Sequence, residues 1–575
     1  IWLFFLWNVN DKMKSDIEIN REYKPKKIDE IAESLKIKEK YLIKYGDYIA
    51  KIKLDLLDEI EKNENGKYIL ITGITPTPLG EGKTTTTVGL GQAFAKLKRN
   101  GLISIRQPSL GPIFGIKGGA HGGGYSQVYP MDEFNLHFTG DNYAVYTAHN
   151  LLVSFLYNSI YHKNPLNIDL NSISIKRVID ISDRGLRKII AGIFDNYLPH
   201  ESGFEITSAS EIMAILSLSR NLKELREKLG KIIVGFTYDK KPIFSDDLEV
   251  AGSLTALTKN ALMPNLIQTI EGTPVFVHTG PFGNIAHGNS SIIADLIGIK
   301  ISDYLITEAG FGTDLGAEKF FNIKCRYSNL KPDIAVIVVS LRSLKMHGGV
   351  GKISPGKPLP REILEKNLDA IKIGSENLKK HIENIKIHGI KVIVNLNYFE
   401  VDDEDEINLL RKISLESGSD DFVVSEVYSK GGEGGIDLAK SIMKLTEKKE
   451  DNFNFLYPLD IPIRDKIKTI ATKIYGAKDV KFSNEAINKI ELLESLGFSN
   501  LPICMAKTHL SLSHDSKLKG RPDNFILPID NIKISNGAGF IVTYSGEIST
   551  MPSLPSNPIG KYIDIDNDGN IYGLK

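Results

Sequence analysis

A lysine and a threonine that follow a glycine-rich turn can hold a triphosphate. Residues Thr77-Pro78-Leu79-Gly80-Glu81-Gly82-Lys83-Thr84 supply that order. Between a strand and a helix, such a loop aims backbone N–H groups and the positive helix end at phosphate oxygens. Lys83 would reach the β- and γ-phosphates, and Thr84 would offer its hydroxyl to Mg²⁺. The usual pattern begins with glycine where this chain has Thr77, so a plain glycine turn is the competing reading. Magnesium also needs a carboxylate. Glu308, ahead of Ala309-Gly310-Phe311-Gly312, and Asp141, in Thr139-Gly140-Asp141, are both candidates. Either could equally be a cap or turn residue.

A second glycine cluster follows. Arg106-Gln107-Pro108-Ser109-Leu110-Gly111-Pro112 leads into Gly115-Ile116-Lys117-Gly118-Gly119-Ala120-His121-Gly122-Gly123-Gly124-Tyr125. Glycine is costly inside a packed helix or strand, so the segment reads as a loop that lets backbone approach a ligand closely. A flexible surface loop is the alternative; Arg106 and Lys117 favour an anionic substrate.

These residues need a scaffold. Tyr68–Thr72, Ile232–Phe236, Pro274–His278, Tyr304–Thr307, Ile334–Val339 and Val392–Leu396 are continuously apolar runs. Such runs suit strands buried on both faces. Amphipathic stretches between them predict helices and a parallel α/β sheet. The phosphate loop would join a strand ending near Gly73 to a helix from Thr84 to about Lys98. Residues 24–62 read as charged helix, with Ile28, Ile31, Leu35, Tyr41 and Leu42 facing inward. Seams are expected at Gly348–Pro360 and after Asn452.

The chain has 575 residues, 42% hydrophobic and 25% charged, with balanced charge. That composition fits a globular protein with a sizeable core and excludes disorder as the main state. It shows none of the basic excess of a nucleic-acid binder. Two isolated cysteines, Cys325 and Cys504, make neither a disulfide framework nor a zinc site, and point to a reducing, cytoplasmic compartment. The apolar opening, residues 1–12, is too short for a membrane span and lacks signal-peptide features, so it is read as a non-native extension. No later segment looks transmembrane.

The chain resembles the formate–tetrahydrofolate ligase (formyltetrahydrofolate synthetase) family, in its monofunctional form, from about Met13 to Lys575. The matching motifs include Pro76–Thr86, Pro108–Tyr125, Asn135–Asp141, Glu271–Ser291, Thr307–Tyr327, Leu344–Gly349, Gly431–Gly435, Asn500–Thr508 and Thr550–Pro555. The resemblance implies ATP-dependent joining of formate to tetrahydrofolate through formyl phosphate, giving 10-formyltetrahydrofolate, ADP and phosphate. It implies Mg²⁺, a monovalent cation (K⁺ or NH₄⁺) and a homotetramer. It implies an α/β fold: a P-loop NTPase-like parallel-sheet domain over residues 13–375, a smaller folate-binding α/β domain over 376–480 and a C-terminal domain over 481–575. By the same resemblance Lys83 neutralises phosphate charge and Arg106 holds formate and then formyl phosphate. Asp141 sits near the amine, and Phe399 and Tyr428 sandwich the pterin.

Several positions depart from the family pattern. His121 stands for alanine, and Tyr428 for tryptophan. Asn142, Tyr143, Tyr146 and His149 cluster after Asp141, and Ser340-Leu341-Arg342-Ser343 alters a second signature. A degraded homologue that binds ATP or folate without turnover is therefore the alternative. A P-loop enzyme with another acceptor is the third reading.

Overall fold

The computed structural model describes residues 14–117, 119–193, 199–351, 359–448 and 450–574. Residues 1–12, Gly118 of the glycine cluster, and much of the Gly348–Pro360 seam lie outside them. Among the described residues the main sheet has twelve strands, ten of them along its path: β1 (Leu42–Lys44), β2 (Ala50–Ile52), β3 (Lys67–Gly73), β4 (Gly101–Ile105), β5 (Asn265–Thr269), β6 (Pro274–Val277), β7 (Tyr304–Glu308), β8 (Ile334–Val339), β9 (Lys391–Asn397) and β10 (Asp421–Ser425). Their spatial order is β1-β2-β5-β6-β4-β7-β3-β8-β9-β10. From β6 to β10 every pairing is parallel, and β1, β2 and β5 join as an antiparallel flank. The hairpin Gly122–Gly123/Ser126–Tyr129 hangs on β5.

Helices α1 (Lys83–Lys96), α2 (Asp141–Tyr161), α3 (Ile292–Ile301), α4 (Leu341–His347) and α5 (Leu368–Lys386) follow strands or loops of this sheet. The apolar runs become strands because both faces are covered. Ile69 and Ile71 of β3 pack with Val88 and Phe94 of α1, while Tyr68 and Leu70 pack into a cluster with Ile293 and Leu378. Each such buried side chain contributes about 1.5–3 kcal/mol.

Two expectations fail. Residues 24–62 are not one helical stretch: Ile28–Ser34 and Leu56–Ile60 are short helices, and β1 and β2 lie between them at the sheet flank. The expected apolar positions are buried, but Tyr41 and Leu42 reach the core where helix gives way to strand. Ile233–Phe236 is a strand, yet it pairs with Pro242–Phe244 outside the main sheet. A tight turn through Lys240, whose φ is 64°, sends the chain straight back.

Beyond residue 450, Ile503–Ala506, Phe540–Tyr544 and Asn531–Ser535 form a three-stranded sheet with its own isoleucine-rich core. Its 507–520 loop is tied into the phosphate-loop entrance. His381 bonds Thr75 Oγ1 through Nε2 (3.0 Å) and Thr313 Oγ1 through Nδ1 (2.6 Å). Asn377 donates to Thr75 Oγ1 at 3.0 Å and to the Gly520 carbonyl at 2.8 Å. Lys507 is fully buried and donates to Asp314 at 2.8 Å.

These buried groups set a pH dependence. Desolvation pushes His278, His347, His388 and His509 down to about 4 and His381 down to about 3, from 6.5. Such a histidine takes up a proton on unfolding between about pH 4 and 6.5, so its stability contribution is full above 6.5 and lost as pH falls. Desolvation also raises Glu211 and Glu318 to about 7, and Asp402 to about 6. These acids act oppositely, their contribution being full at low pH. The histidines outnumber them, so the melting temperature is expected to fall on acidification from pH 6.5 to 4.5. A scanning-calorimetry series that stays flat or rises toward acid refutes this.

Candidate active site

The C-terminal ends of the parallel strands bring the candidate residues to one edge, where open α/β sheets place ligands. The Thr77–Thr84 loop leaves β3 and enters α1, and Gly80 and Gly82 adopt φ of 72° and 81°. Any Cβ on Gly82 would lie 2.5 Å from Asn397 Nδ2 at the end of β9. Glu81 braces the loop from within. Its buried carboxylate accepts from the Thr77 N–H at 2.8 Å and from the Thr77 hydroxyl at 3.1 Å. Pro78 and Leu79 fill the turn between these two residues. Lys83 folds back over the end of β3, with Nζ 3.6 Å from Glu81.

Thr84 and Arg106 meet at Glu308. Thr84 Oγ1 donates to Glu308 Oε2 at 2.8 Å, and Arg106 Nη2 lies 3.8 Å from Glu308 Oε1. Of the two carboxylates considered for magnesium, Glu308 is therefore the one beside the phosphate loop. Arg106 lies against Gly310: a Cβ there would be 3.1 Å from Nη2. Arg106 Nε, Gln107 Oε1, Asn289 Oδ1 and both nitrogens of buried His287 lack hydrogen-bond partners. Buried polar atoms are normally paired, so these atoms are available to a small polar partner such as water or a ligand. Lys117 is solvent-exposed. Desolvation lowers its pKa, Arg106 and Lys83 lower it further, and Glu308 opposes them. The edge is thus strongly cationic.

Asp141 is not joined to Lys83 or Arg106. Both its oxygens accept from Lys51 Nζ, at 2.8 and 2.9 Å, and Oδ2 also accepts from Asn265 Nδ2 at 2.8 Å. Asp141 opens α2, where a negative charge suits the helix end. The next residue, Asn142, donates to the Pro108 carbonyl at 2.9 Å and so fixes α2 against the loop that carries Arg106. Lys51 carries no local motif, and sequence reading passed over it.

Phe399 and Tyr428 follow neighbouring strands, β9 and β10. Phe399 carries the Arg342 guanidinium 3.9 Å above its ring, a cation–π contact that the sequence did not reveal. The backbone N–H of Phe399 donates to Asp402 at 2.9 Å. Tyr428 packs on the glycine hairpin: its carbonyl accepts the Tyr125 N–H at 2.8 Å, and a Cβ on Gly124 would sit 2.1 Å from that oxygen.

The departures fit into the fold. His121 is buried, with Nδ1 2.9 Å from Asn135 and Nε2 3.7 Å from Asp16. Asp16 also accepts the Gly124 N–H at 2.9 Å, so the short helix Asp16–Glu22 braces the hairpin. Tyr143 is exposed and stacks with Tyr146 at 6.2 Å. His149 is buried between Ser210 and the Lys176 carbonyl, both at 2.7 Å. The two cysteines are free and buried, and desolvation raises both thiol pKa values.

Among the described residues no helix is long and apolar enough to cross a membrane. Nor does any group of three or more His, Cys, Asp or Glu there form a self-contained metal site. Comparison with known proteins gives a consistent picture. A family model described as "Formate--tetrahydrofolate ligase" matches residues 14–575. "Formate--tetrahydrofolate ligase 3" of Rubrobacter xylanophilus is 48% identical over 573 residues, 98% of this chain and 100% of that protein. "Formate--tetrahydrofolate ligase" of Herpetosiphon aurantiacus is 48% identical over 570 residues, again 98% and 100%.

Proposed function

We propose, from the premise that this chain belongs to the formate–tetrahydrofolate ligase family, that it uses ATP to join formate to tetrahydrofolate through formyl phosphate. The observation that carries the reading is the meeting of Thr84, Glu308 and Arg106 beside Lys83 at the sheet edge. A formate oxygen attacks the γ-phosphorus, and the P–O bond to ADP breaks. The folate N10 then attacks the formyl carbon, and the C–O bond to phosphate breaks, releasing phosphate and 10-formyltetrahydrofolate.

Phosphoryl transfer is mainly positioning plus charge neutralisation. Thr77–Thr84 cradles the phosphates, and Lys83 exchanges Glu81 for the γ-phosphate. The Arg106 fork grips the formate carboxylate and then the acyl phosphate, as guanidinium suits both. Of the unpartnered atoms there, the Arg106 Nε–H and the N–H of the His287 ring are donors that suit the same small anion. The Thr84 hydroxyl and the Glu308 carboxylate form a hard-oxygen pair that fits Mg²⁺, which typically takes one or two protein ligands plus phosphate oxygens. When bound, the ion would neutralise charge developing between the phosphates. Phe399 and Tyr428 flank the pterin, with Arg342 fixing the Phe399 ring. The same reading brings activation by K⁺ or NH₄⁺ and assembly as a homotetramer.

The purified chain with Mg-ATP, formate, K⁺ and tetrahydrofolate tests this. After acid quench the product cyclises to a methenyl species with near-ultraviolet absorbance. Product that requires all three substrates is expected. Bound ATP without product would support a degraded homologue instead.

A further inference from the structure

Lys51 pairs with Asp141, the carboxylate that the ligase reading puts beside the folate amine, and its burial is nearly complete, at 1% exposure. A buried ion pair adds little net stability, because desolvation offsets the attraction. Its value lies in placement. An ionised carboxylate offers about four acceptor directions. In Asp141, Lys51 fills one on each oxygen and Asn265 fills a second on Oδ2. One direction remains, on Oδ1. Lys51 is itself pinned by a third bond, to the Met263 carbonyl at 3.2 Å. Asn265 is held by the Thr139 hydroxyl at 2.8 Å and by its own donation to the Val277 carbonyl at 3.1 Å. Strands β2, β5 and β6 therefore all converge on this single carboxylate.

We propose that Lys51 is a positioning residue for formyl transfer: it locks Asp141 so that its one open acceptor direction receives the folate N10–H. This rests on the ligase reading above and assigns Asp141 an orienting and proton-relaying role. The hydrogen bond turns the N10 lone pair toward the formyl carbon. The N–C bond forms, the C–O bond breaks with its electron pair on phosphate, and the N10 proton is relayed through Asp141 Oδ1 to the departing phosphate, so atoms and charge balance.

The charged and titratable groups facing Asp141 are few. Lys51 comes from β2, and the neutral amide of Asn265 from β5. His278 follows β6; its ring is kept uncharged by burial, and it bonds Ser291 at 2.5 Å and the Ala261 carbonyl at 2.7 Å. Replacing Lys51 removes the positive charge that faces this carboxylate at 2.8 Å.

The test is steady-state kinetics of Lys51→Met and Lys51→Arg in the full chain, with pH profiles. For Lys51→Met, kcat is expected to fall about 100-fold, the scale of a displaced reacting group. The KM for ATP should stay near wild type, and the acid limb of the kcat profile should move to higher pH. Lys51→Arg, which keeps the charge, should return that limb to its wild-type position. If Lys51→Met does not fold, Asn265→Ala serves, with a smaller shift in the same direction. A folded Lys51→Met with unchanged kcat and acid limb overturns the proposal, as does a loss that raises the KM of every substrate alike. If wild type itself makes no folate-dependent product, the ligase reading has failed first.

Discussion

Lys83→Ala is expected to cut formate- and folate-dependent turnover by about 10³-fold or more, the upper range for losing one preorganised charge donor. The side chain is well placed for so large an effect. It is mostly buried, folded over Gly73, and held by a weak 3.6 Å pairing with Glu81 that incoming phosphate can replace. Glu81 keeps its bonds from Thr77 after the substitution, so the loop retains its shape. The melting temperature should therefore move far less than the rate. Single-turnover measurement with excess enzyme separates chemistry from binding. Activity within about tenfold of wild type would place the phosphates elsewhere.

Arg106→Lys is the second large effect. The charge survives, but the planar fork is lost, and at a bidentate site that exchange is not conservative. Formyl phosphate formation should fall about 10²-fold, with the KM for formate raised and the KM for tetrahydrofolate little changed. The Glu308 carboxylate at 3.8 Å would still hold a cation nearby, so misfolding is not the expected cause. Formate-dependent ATP–ADP exchange without folate measures this half-reaction. Equal losses in exchange and in the full reaction locate the lesion at the first step; a loss confined to the full reaction contradicts the assignment.

What the sequence made legible was local. The strand, glycine turn and helix around Lys83 are contiguous, so their geometry follows from residues within twenty positions of one another. Continuous apolar runs such as Ile334–Val339 marked the central strands because both faces are covered there. The run Ile232–Phe236 had the same texture but sits in a separate hairpin, since texture cannot tell which partner a strand will meet. Partners far apart in the chain were invisible. Nothing near Lys51 announces Asp141, and nothing near Arg342 announces Phe399. Of the magnesium candidates, Glu308 and Asp141 looked alike until the sheet placed one beside Thr84 and the other beside Lys51.

The bonds that tie Thr75 to His381 and Asn377, and Asn377 to Gly520, have a consequence for biosynthesis. Thr75 leaves the ribosome long before Gly520, 445 positions further along the chain. At about 5–20 residues per second, the interval is on the order of tens of seconds. His381 and Asn377 emerge about two-thirds of the way through that interval, and the Asn377–Gly520 bond waits for its end, so a nascent chain can form β3 and α1 before the last bond of their junction is made. Nucleotide binding should therefore arise late in translation, when the C-terminal loop closes the network.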